Sequence, residues 1–313
     1  GYKGTFSQTA GTTTVTDNFF GGTSTISNGT LNWYTDKDLP ADGKLIVENG
    51  RFNIGKDGLN AILTLKSGSS IAESAAANIN KDAILNIAGA DVSLNSNDNW
   101  AGKITLTDGN LTLNGINSNG IIDAQGGILN LNSGSLNVGN NSVIAGSGAN
   151  PAVTIADNAN LNVTGGDVTL NSNDTWSGNV NLVSGTLNIE DVASNGKIQA
   201  ADGNLNVNSG NLTVENGSFI NSKVDTYIDI NSTIDIKDKG TVTINDGDIW
   251  DGTIALNGGV LNYGTTNSGT LSAVTGDLNL LNGSILNIQT PSQVANEVNV
   301  DIQKGALVNL TNN

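Results

Sequence analysis

Short segments in which apolar and small polar residues alternate recur along the whole chain. Each segment places two aliphatic side chains on one face of an extended strand and a polar side chain on the other. Examples are Leu129-Asn130-Leu131, Leu136-Asn137-Val138, Leu205-Asn206-Val207 and Leu212-Thr213-Val214. This period of two predicts an all-β chain of short strands with one buried face each.

The segments belong to a long internal repeat that an aromatic residue marks. Phe20, Trp100, Trp176 and Trp250 each stand before a glycine and a strand-like segment, at spacings of 100−20=80, 176−100=76 and 250−176=74. Shifting residues 89–142 forward by 76 places them on 165–218 without a gap. The chain is therefore an array of repeats of about 74–80 residues that begin near residues 12, 90, 166 and 240.

The spacing of the segments predicts a coil. We count nine segments in the repeat that starts at Val92. Grouping them in threes divides the repeat into three turns of about 25 residues each, the size expected of one unit in a stacked array. The fold class predicted is an all-β, right-handed parallel β-helix (β-solenoid) of about twelve turns with three short strands per turn. One such turn cannot bury enough apolar surface to stay folded alone, so the turns must stack.

Glycine and asparagine have structural parts in this prediction. Pairs such as Asp108-Gly109 and Ser133-Gly134 recur between strands, where glycine supplies the positive φ that a tight corner needs. Equivalent asparagines on stacked turns can hydrogen-bond along the axis as ladders. We therefore expect most asparagines to stabilise the coil rather than to bind a ligand.

No linker interrupts the pattern, so we predict one domain that spans residues 1–313. The least regular stretch, 66–81, could form a helical turn or a loop, but we assign it to the coil. The chain has no methionine, no segment of about 20 apolar residues, and strand-like patterning almost to its last residue. We expect it to be a fragment of a longer protein that carries the caps and the anchor.

Composition and charge exclude several classes of function. Cysteine and histidine are absent, so the chain has neither thiolate metal sites nor a cysteine nucleophile. The net charge is −16 and Arg51 is the one arginine, which argues against nucleic-acid binding and against attachment to anionic membranes. A regular Thr-x-Thr in every turn, as ice binding would require, is missing.

Two carbohydrate hypotheses follow from the side chains that remain. Many β-helices cleave polysaccharides with paired carboxylates or with a Ca²⁺-bound carboxylate cluster and a basic residue. The available acids are Asp225, Asp229, Asp235, Asp238, Asp246, Asp248 and Asp251. Their spacing follows strands and turns rather than one point, so we predict no catalytic residue, no metal site and no cofactor, and the ligand-binding residues stay unknown.

The repeated tryptophans offer the second hypothesis. If the repeats are in phase, Trp100, Trp176 and Trp250 recur on one side of the coil and could stack on sugar rings of a glycan. The alternation of side chains along a strand favours another interpretation. Trp100, Gly102 and Ile104 lie two residues apart, so in an extended strand the Trp100 side chain lies on the same face as the core residue Ile104. We therefore assign the tryptophans to the core.

The segment from Trp176 to Ile189, with its relatives at 100–113 and 250–263, resembles the repeats of bacterial autotransporter passenger domains and related giant surface adhesins. The resemblance implies a non-enzymatic passenger or stalk segment of an exported bacterial surface protein that serves adhesion or display. It implies a secreted or cell-surface location, with outer-membrane anchoring through regions outside this chain.

The partner would be a glycan or protein on a host or neighbouring cell, and we expect a monomer without membrane insertion. A carbohydrate-active β-helix and a purely structural spacer are the alternatives.

Overall fold

The structure is a computed structural model, and it describes residues 4–19, 21–117, 120–144, 152–190, 192, 195–215, 217–237, 239–245, 248–264, 266–267, 270–280, 285–289 and 293–311. These residues form strands and connecting turns, without a helix. The strands that begin before residue 159 are β1 Phe6–Gln8, β2 Thr12–Val15, β3 Thr23–Ile26, β4 Thr30–Trp33, β5 Lys44–Val47, β6 Gly50–Ile54, β7 Ile62–Lys66, β8 Ser70–Ile71, β9 Ala75–Ile79, β10 Ile84–Asn95, β11 Asn99–Trp100, β12 Lys103–Asn117, β13 Ile121–Ala124, β14 Ile128–Gly139, β15 Val143–Ile144 and β16 Ala152–Ile155. The later strands are β17 Ala159–Asn171, β18 Thr175–Trp176, β19 Asn179–Glu190, β20 Lys197–Ala200, β21 Gly203–Val214, β22 Phe219–Ile220, β23 Val224–Ile228, β24 Ser232–Lys237, β25 Thr241–Asn245, β26 Ile249–Trp250, β27 Thr253–Gly264, β28 Thr266–Asn267, β29 Thr270–Leu280, β30 Ile285–Gln289, β31 Gln293–Ile302 and β32 Leu307–Thr311.

Contacts divide the chain into two compact units, Gly1–Leu161 and Asn162–Asn313. The assignment of residues 1–313 to a single domain stays a prediction. The right-handed winding of the coil also stays a prediction.

Three columns of parallel strands form the first unit. One column contains β1, β3, β5, β8 and the second half of β10, and another contains β2, β4, β6, β9 and β11. The third contains β7, the first half of β10, the start of β12, β13 and β15. The consecutive strands β7, β8 and β9 thus belong to three different columns. This arrangement confirms the predicted parallel β-solenoid with three strands per turn.

The second unit is built in the same way. One column contains the start of β19, β20, β22, β25, the end of β27, the end of β29 and the end of β31. A second contains the end of β19, the start of β21, β23 and β26, and a third contains the end of β21, β24 and the start of β27. All of these pairings are parallel, as winding in one direction requires.

The turns are shorter than the sequence predicted. Most paired residues are 18 to 22 positions apart, as in Phe6↔Ser24 and Tyr227↔Ile249, and the predicted length is reached between β6 and β9, where Gly50 pairs with Ala75. Each internal repeat therefore holds nearly four turns and not three. The prediction was wrong because the two-residue strand Asn99–Trp100 has no alternating pattern and was not counted as a segment.

The core is a set of aliphatic columns that the alternating segments supply. Leu129, Leu131, Leu136 and Val138 are at most 1% exposed, which confirms the prediction that these positions face inward. Burial alternates residue by residue, for example in β4 and β7. Inward residues of paired strands stack one turn apart, as Leu111, Leu129 and Val153 do, so a layer inside the column is covered on both sides.

Corners between strands use the predicted turn residues. Gly109 adopts φ +87°, and a β-carbon at this position would clash with the Ala90 carbonyl oxygen. The Asp108 carboxylate accepts a hydrogen bond of 2.8 Å from the Gly109 N–H. The stretch 66–81 contributes β8 and β9 to the columns, so its assignment to the coil is confirmed.

Candidate functional surface

The tryptophans that mark the repeat are part of the core. Trp100, Trp176 and Trp250 are at most 2% exposed, while Phe20 lies outside the described residues. Each indole Nε1–H donates a hydrogen bond of 3.0 Å to the carbonyl oxygen of the glycine two residues later. The ring thus fills the interior while its polar atom is satisfied at the corner, which confirms the core interpretation.

Sugar stacking by these rings also fails on geometry. Trp250 lies in one column with Ile228, Val207 and Ile189. Residues that pair across neighbouring turns of the second unit are 17 to 22 positions apart in the sequence. Trp176 precedes Ile189 by fewer positions than this, so Trp176 cannot be the residue that pairs with Ile189 one turn earlier. The two rings of this unit therefore belong to different columns.

An aspartate two residues before each tryptophan ties its turn to the preceding strand or corner. Asp98 accepts hydrogen bonds from the N–H groups of Asn95 and Ala77, at 2.6 and 2.7 Å. Asp174 accepts one from the Asn171 N–H at 2.7 Å, and Asp248 accepts one from the N–H of Thr226 at 2.8 Å. The Asp-x-Trp-x-Gly motif is therefore a structural corner.

The electrostatics of this corner show in the pKa of Asp98. Burial raises the pKa of Asp98 above its ordinary value of 3.8, and the hydrogen bonds from the N–H groups of Asn95 and Ala77 act in the opposite direction. Burial is the larger effect because the carboxylate leaves water when the turns stack.

Outward-facing asparagines form the predicted ladders. Asn53 donates to the Asn32 carbonyl oxygen at 2.8 Å, and Asn32 donates to the Thr14 hydroxyl at 3.2 Å. Equivalent bonds join Asn99 to Asn78, Asn132 to Asn114, Asn181 to Asn162, Asn206 to Asn188 and Asn279 to Asn262. These amides stabilise the stacking of turns, so the structural interpretation of the asparagines is confirmed.

The aspartates considered for catalysis have different surroundings. Asp235 forms an ion pair of 2.7 Å with Lys237, and Asp248 is buried against β23. Asp229 accepts hydrogen bonds from the Asn231 N–H at 3.0 Å and from the Tyr227 hydroxyl at 3.2 Å. Asp238 and Asp246 lie outside the described residues.

The described residues include no group of three or more histidine, cysteine, aspartate or glutamate side chains placed to hold a metal ion.

An open groove of about 250 Å³ lies on the outer face of β19, β21, β23 and β26. Its lining consists of Thr186, Asn204, Asn206, Asp225, Thr226, Tyr227 and Ile249. Asp225 is the one acid in this lining. Hydrolysis of a glycosidic bond uses two carboxyl groups that flank the bond, so this lining offers a binding surface rather than a hydrolytic pair.

Sequence reasoning did not single out Tyr227. The alternation of buried and exposed positions along β23 shows its orientation. Thr226 and Ile228 are buried on either side of it, so the tyrosine ring points outward. The hydrogen bond that Tyr227 donates to Asp229 raises the pKa of the tyrosine. For Asp229 the hydrogen bond from the Asn231 N–H is the main cause of a lowered pKa.

Two further grooves lie on the first unit. One of about 300 Å³ is lined by Arg51, Asn53, Ala76, Ala77, Asn78, Asn97 and Asn99. The other, of about 340 Å³, is lined by Thr16, Tyr34, Thr35, Asp36, Leu59 and Asn60. In the latter the Lys56 ammonium lies 5.4 Å from the centre of the Tyr34 ring, so a cation occupies the neighbourhood of that ring.

No family model matches the chain, and no curated protein matches it. A similar solved structure is the crystal structure of the TibC-catalysed hyper-glycosylated fragment TibA55-350. The match covers 98% of this chain and 95% of that chain, with 17% identity and a TM-score of 0.30. A likeness at this level carries no argument about function.

The fold itself rests on the strand pairing of this chain. A parallel β-solenoid is the fold that the resemblance to autotransporter passenger domains implies. In the described residues no helix is long and apolar enough to span a membrane.

Proposed function

We propose that the chain is a non-enzymatic passenger or stalk segment of an exported bacterial surface protein and that it serves adhesion or display. The observation that carries the proposal is the outer surface, on which rows of amide and hydroxyl groups run from turn to turn beside open grooves. Each amide in a ladder uses one N–H and one lone pair of its oxygen, so a second N–H and a second lone pair stay available for weak polar contacts along one direction, which suits attachment to an extended partner.

The chemistry of the acids supports binding over cleavage. Asp98, Asp174 and Asp248 are hydrogen-bonded to backbone N–H groups, and Asp235 is paired with Lys237. The first three carboxylates fasten backbone at the corners of the coil, and Asp235 is paired within its own strand, so all four are poor candidates for proton transfer to a substrate. Export and surface display are supported by the resemblance of the repeats to those of passenger domains.

The partner under this proposal is a glycan or protein on a host or neighbouring cell. The test uses beads coated with the purified chain and layered over cultured epithelial cells or over bacteria. Adhesion above that of beads coated with the thermally unfolded chain supports the proposal. Equal adhesion of both kinds of bead would leave a structural spacer as the better function.

Catalysis is tested with the same protein. The chain is incubated with neutral and acidic polysaccharides, and new reducing ends or unsaturated products are measured over a day. We expect none, and a reproducible release of either product would contradict the non-enzymatic assignment.

A further inference from the structure

The groove beside Tyr227 is formed by two rows of outward side chains on stacked strands. One row contains Thr186, Asn204 and Asp225, which are in register, and the other contains Asn206, Tyr227 and Ile249. Neighbouring rungs are about 4.8 Å apart and the two rows about 6.6 Å apart along the strands. The two rows form the floor of the open groove, which has a volume of about 250 Å³.

Hydrogen-bond acceptors in this groove are unused. The Asn206 amide donates to Asn188, whose own amide donates to Thr169, so a ladder climbs toward the groove. The ladder ends at Tyr227, which offers no amide to the Asn206 carbonyl oxygen. Within the part of the chain that the structure describes, neither this oxygen nor the Asp225 carboxylate receives a hydrogen bond.

An apolar platform lies beside these acceptors. The Tyr227 ring points outward, and Ile249, one turn further, is 50% exposed although it is large and apolar. The bond from the Tyr227 hydroxyl to Asp229, at 3.2 Å, fixes the orientation of the ring. A ring held in this way binds a flat apolar face with little further loss of side-chain freedom.

From this juxtaposition we propose that the groove binds a neutral pyranose of a glycan through two adjacent hydroxyl groups. The hydroxyls donate to the Asp225 carboxylate and the Asn206 carbonyl oxygen, while the C–H face of the sugar contacts Tyr227 and Ile249. A carboxylate-bearing sugar is disfavoured because Asp225 would repel it. This inference rests on the proposed adhesive function and names the ligand class for it.

The test measures binding of the purified full chain to an array of neutral, sialylated and uronic-acid-containing oligosaccharides. Affinity for the best neutral ligand is then determined by titration calorimetry. We expect Tyr227→Ala and Asp225→Asn each to weaken binding by about ten-fold or more. Tyr227→Phe, which keeps the ring, should retain more affinity than the alanine variant.

Matched controls separate the groove from general effects. Tyr34→Ala removes an outward tyrosine that has Lys56 near its ring, and Asp157→Asn removes an exposed acid elsewhere; both should bind like the unmodified chain. Circular dichroism shows whether each variant is folded. If Tyr227→Ala does not fold, the affinity of Asp225→Asn, an isosteric change at the surface, decides the test.

Unchanged affinity in both groove variants, or a preference for acidic glycans, would overturn the inference. Cell adhesion by the coated beads would in that case still support the proposed function. If beads coated with the unmodified chain adhered no better than beads coated with the unfolded chain, the proposed function itself would be contradicted.

Discussion

Truncation of one rung of the aliphatic column should destabilise the coil locally and strongly. Leu129 is fully buried and in register with Leu111 below it and Val153 above it. Leu129→Ala removes three carbon atoms, worth about 2.4 kcal/mol in transfer free energy at ~0.8 kcal/mol each. The cavity between the two neighbouring rungs adds to this, so we expect a total loss of about 3 to 5 kcal/mol.

Hydrogen exchange followed by mass spectrometry suits this prediction, because it reports the opening free energy of each segment in a repeat array. Peptides from β12, β14 and β16 should lose protection in Leu129→Ala, and peptides several turns away should change much less. The matched control is Asn130→Ala, whose side chain faces outward and which should cost about 0.5 to 1.5 kcal/mol. Equal losses of protection in the two variants would refute the assignment of inward and outward faces.

Other features of the coil give further expectations. Asn53→Ala breaks an amide ladder and should lower the free energy of unfolding by about 0.5 to 1.5 kcal/mol in urea titrations. Trp250→Phe keeps an aromatic ring in the core but leaves a cavity and loses the bond to the Gly252 carbonyl, and should cost about 1 to 3 kcal/mol by the same measurement. Asp98 has a raised pKa, so its contribution to stability is present at low pH and is lost as pH rises through that pKa. Asp123 has a pKa lowered mainly by the hydrogen bond from Lys103, so its contribution is lost as pH falls below the ordinary value of 3.8. Asp98→Asn and Asp123→Asn should therefore change the pH dependence of the free energy of unfolding with opposite signs, measured between about pH 2 and 6. Changes of the same sign would contradict these causes.

Much of the fold could be predicted because the physical signal is local. Alternation in segments such as Leu136-Asn137-Val138 decides which side chains enter the core, and those positions are buried. The same alternation of side chains along a strand predicted that Trp100 lies in the core, where it is buried. The length of a turn could not be read in this way, since the two-residue strand Asn99–Trp100 carries no period and only its pairing with β9 reveals it.

The candidate surface was less accessible from the sequence. Tyr227 and Asp225 become neighbours of Asn206 and Asn204 only through pairing between residues 21 positions apart. The role of Asp248 also depends on the preceding turn, because its carboxylate accepts a hydrogen bond from the N–H of Thr226, 22 residues earlier. Side chains that meet across turns need the register, which the sequence pattern alone does not specify.

Parallel, in-register stacking of successive turns is the central claim, and a disulfide test addresses it most directly. The chain has no cysteine, so the thiols of a double variant with Asn32→Cys and Asn53→Cys can form a disulfide only with each other. These positions are paired between β4 and β6, at a Cα separation of about 4.8 Å that permits a disulfide. Mild oxidation should yield this bond rapidly, whereas Asn32→Cys with Arg51→Cys, about 8 Å apart, should oxidise slowly. Slow oxidation of the first pair, or equal rates in the two pairs, would contradict the stacking of turns.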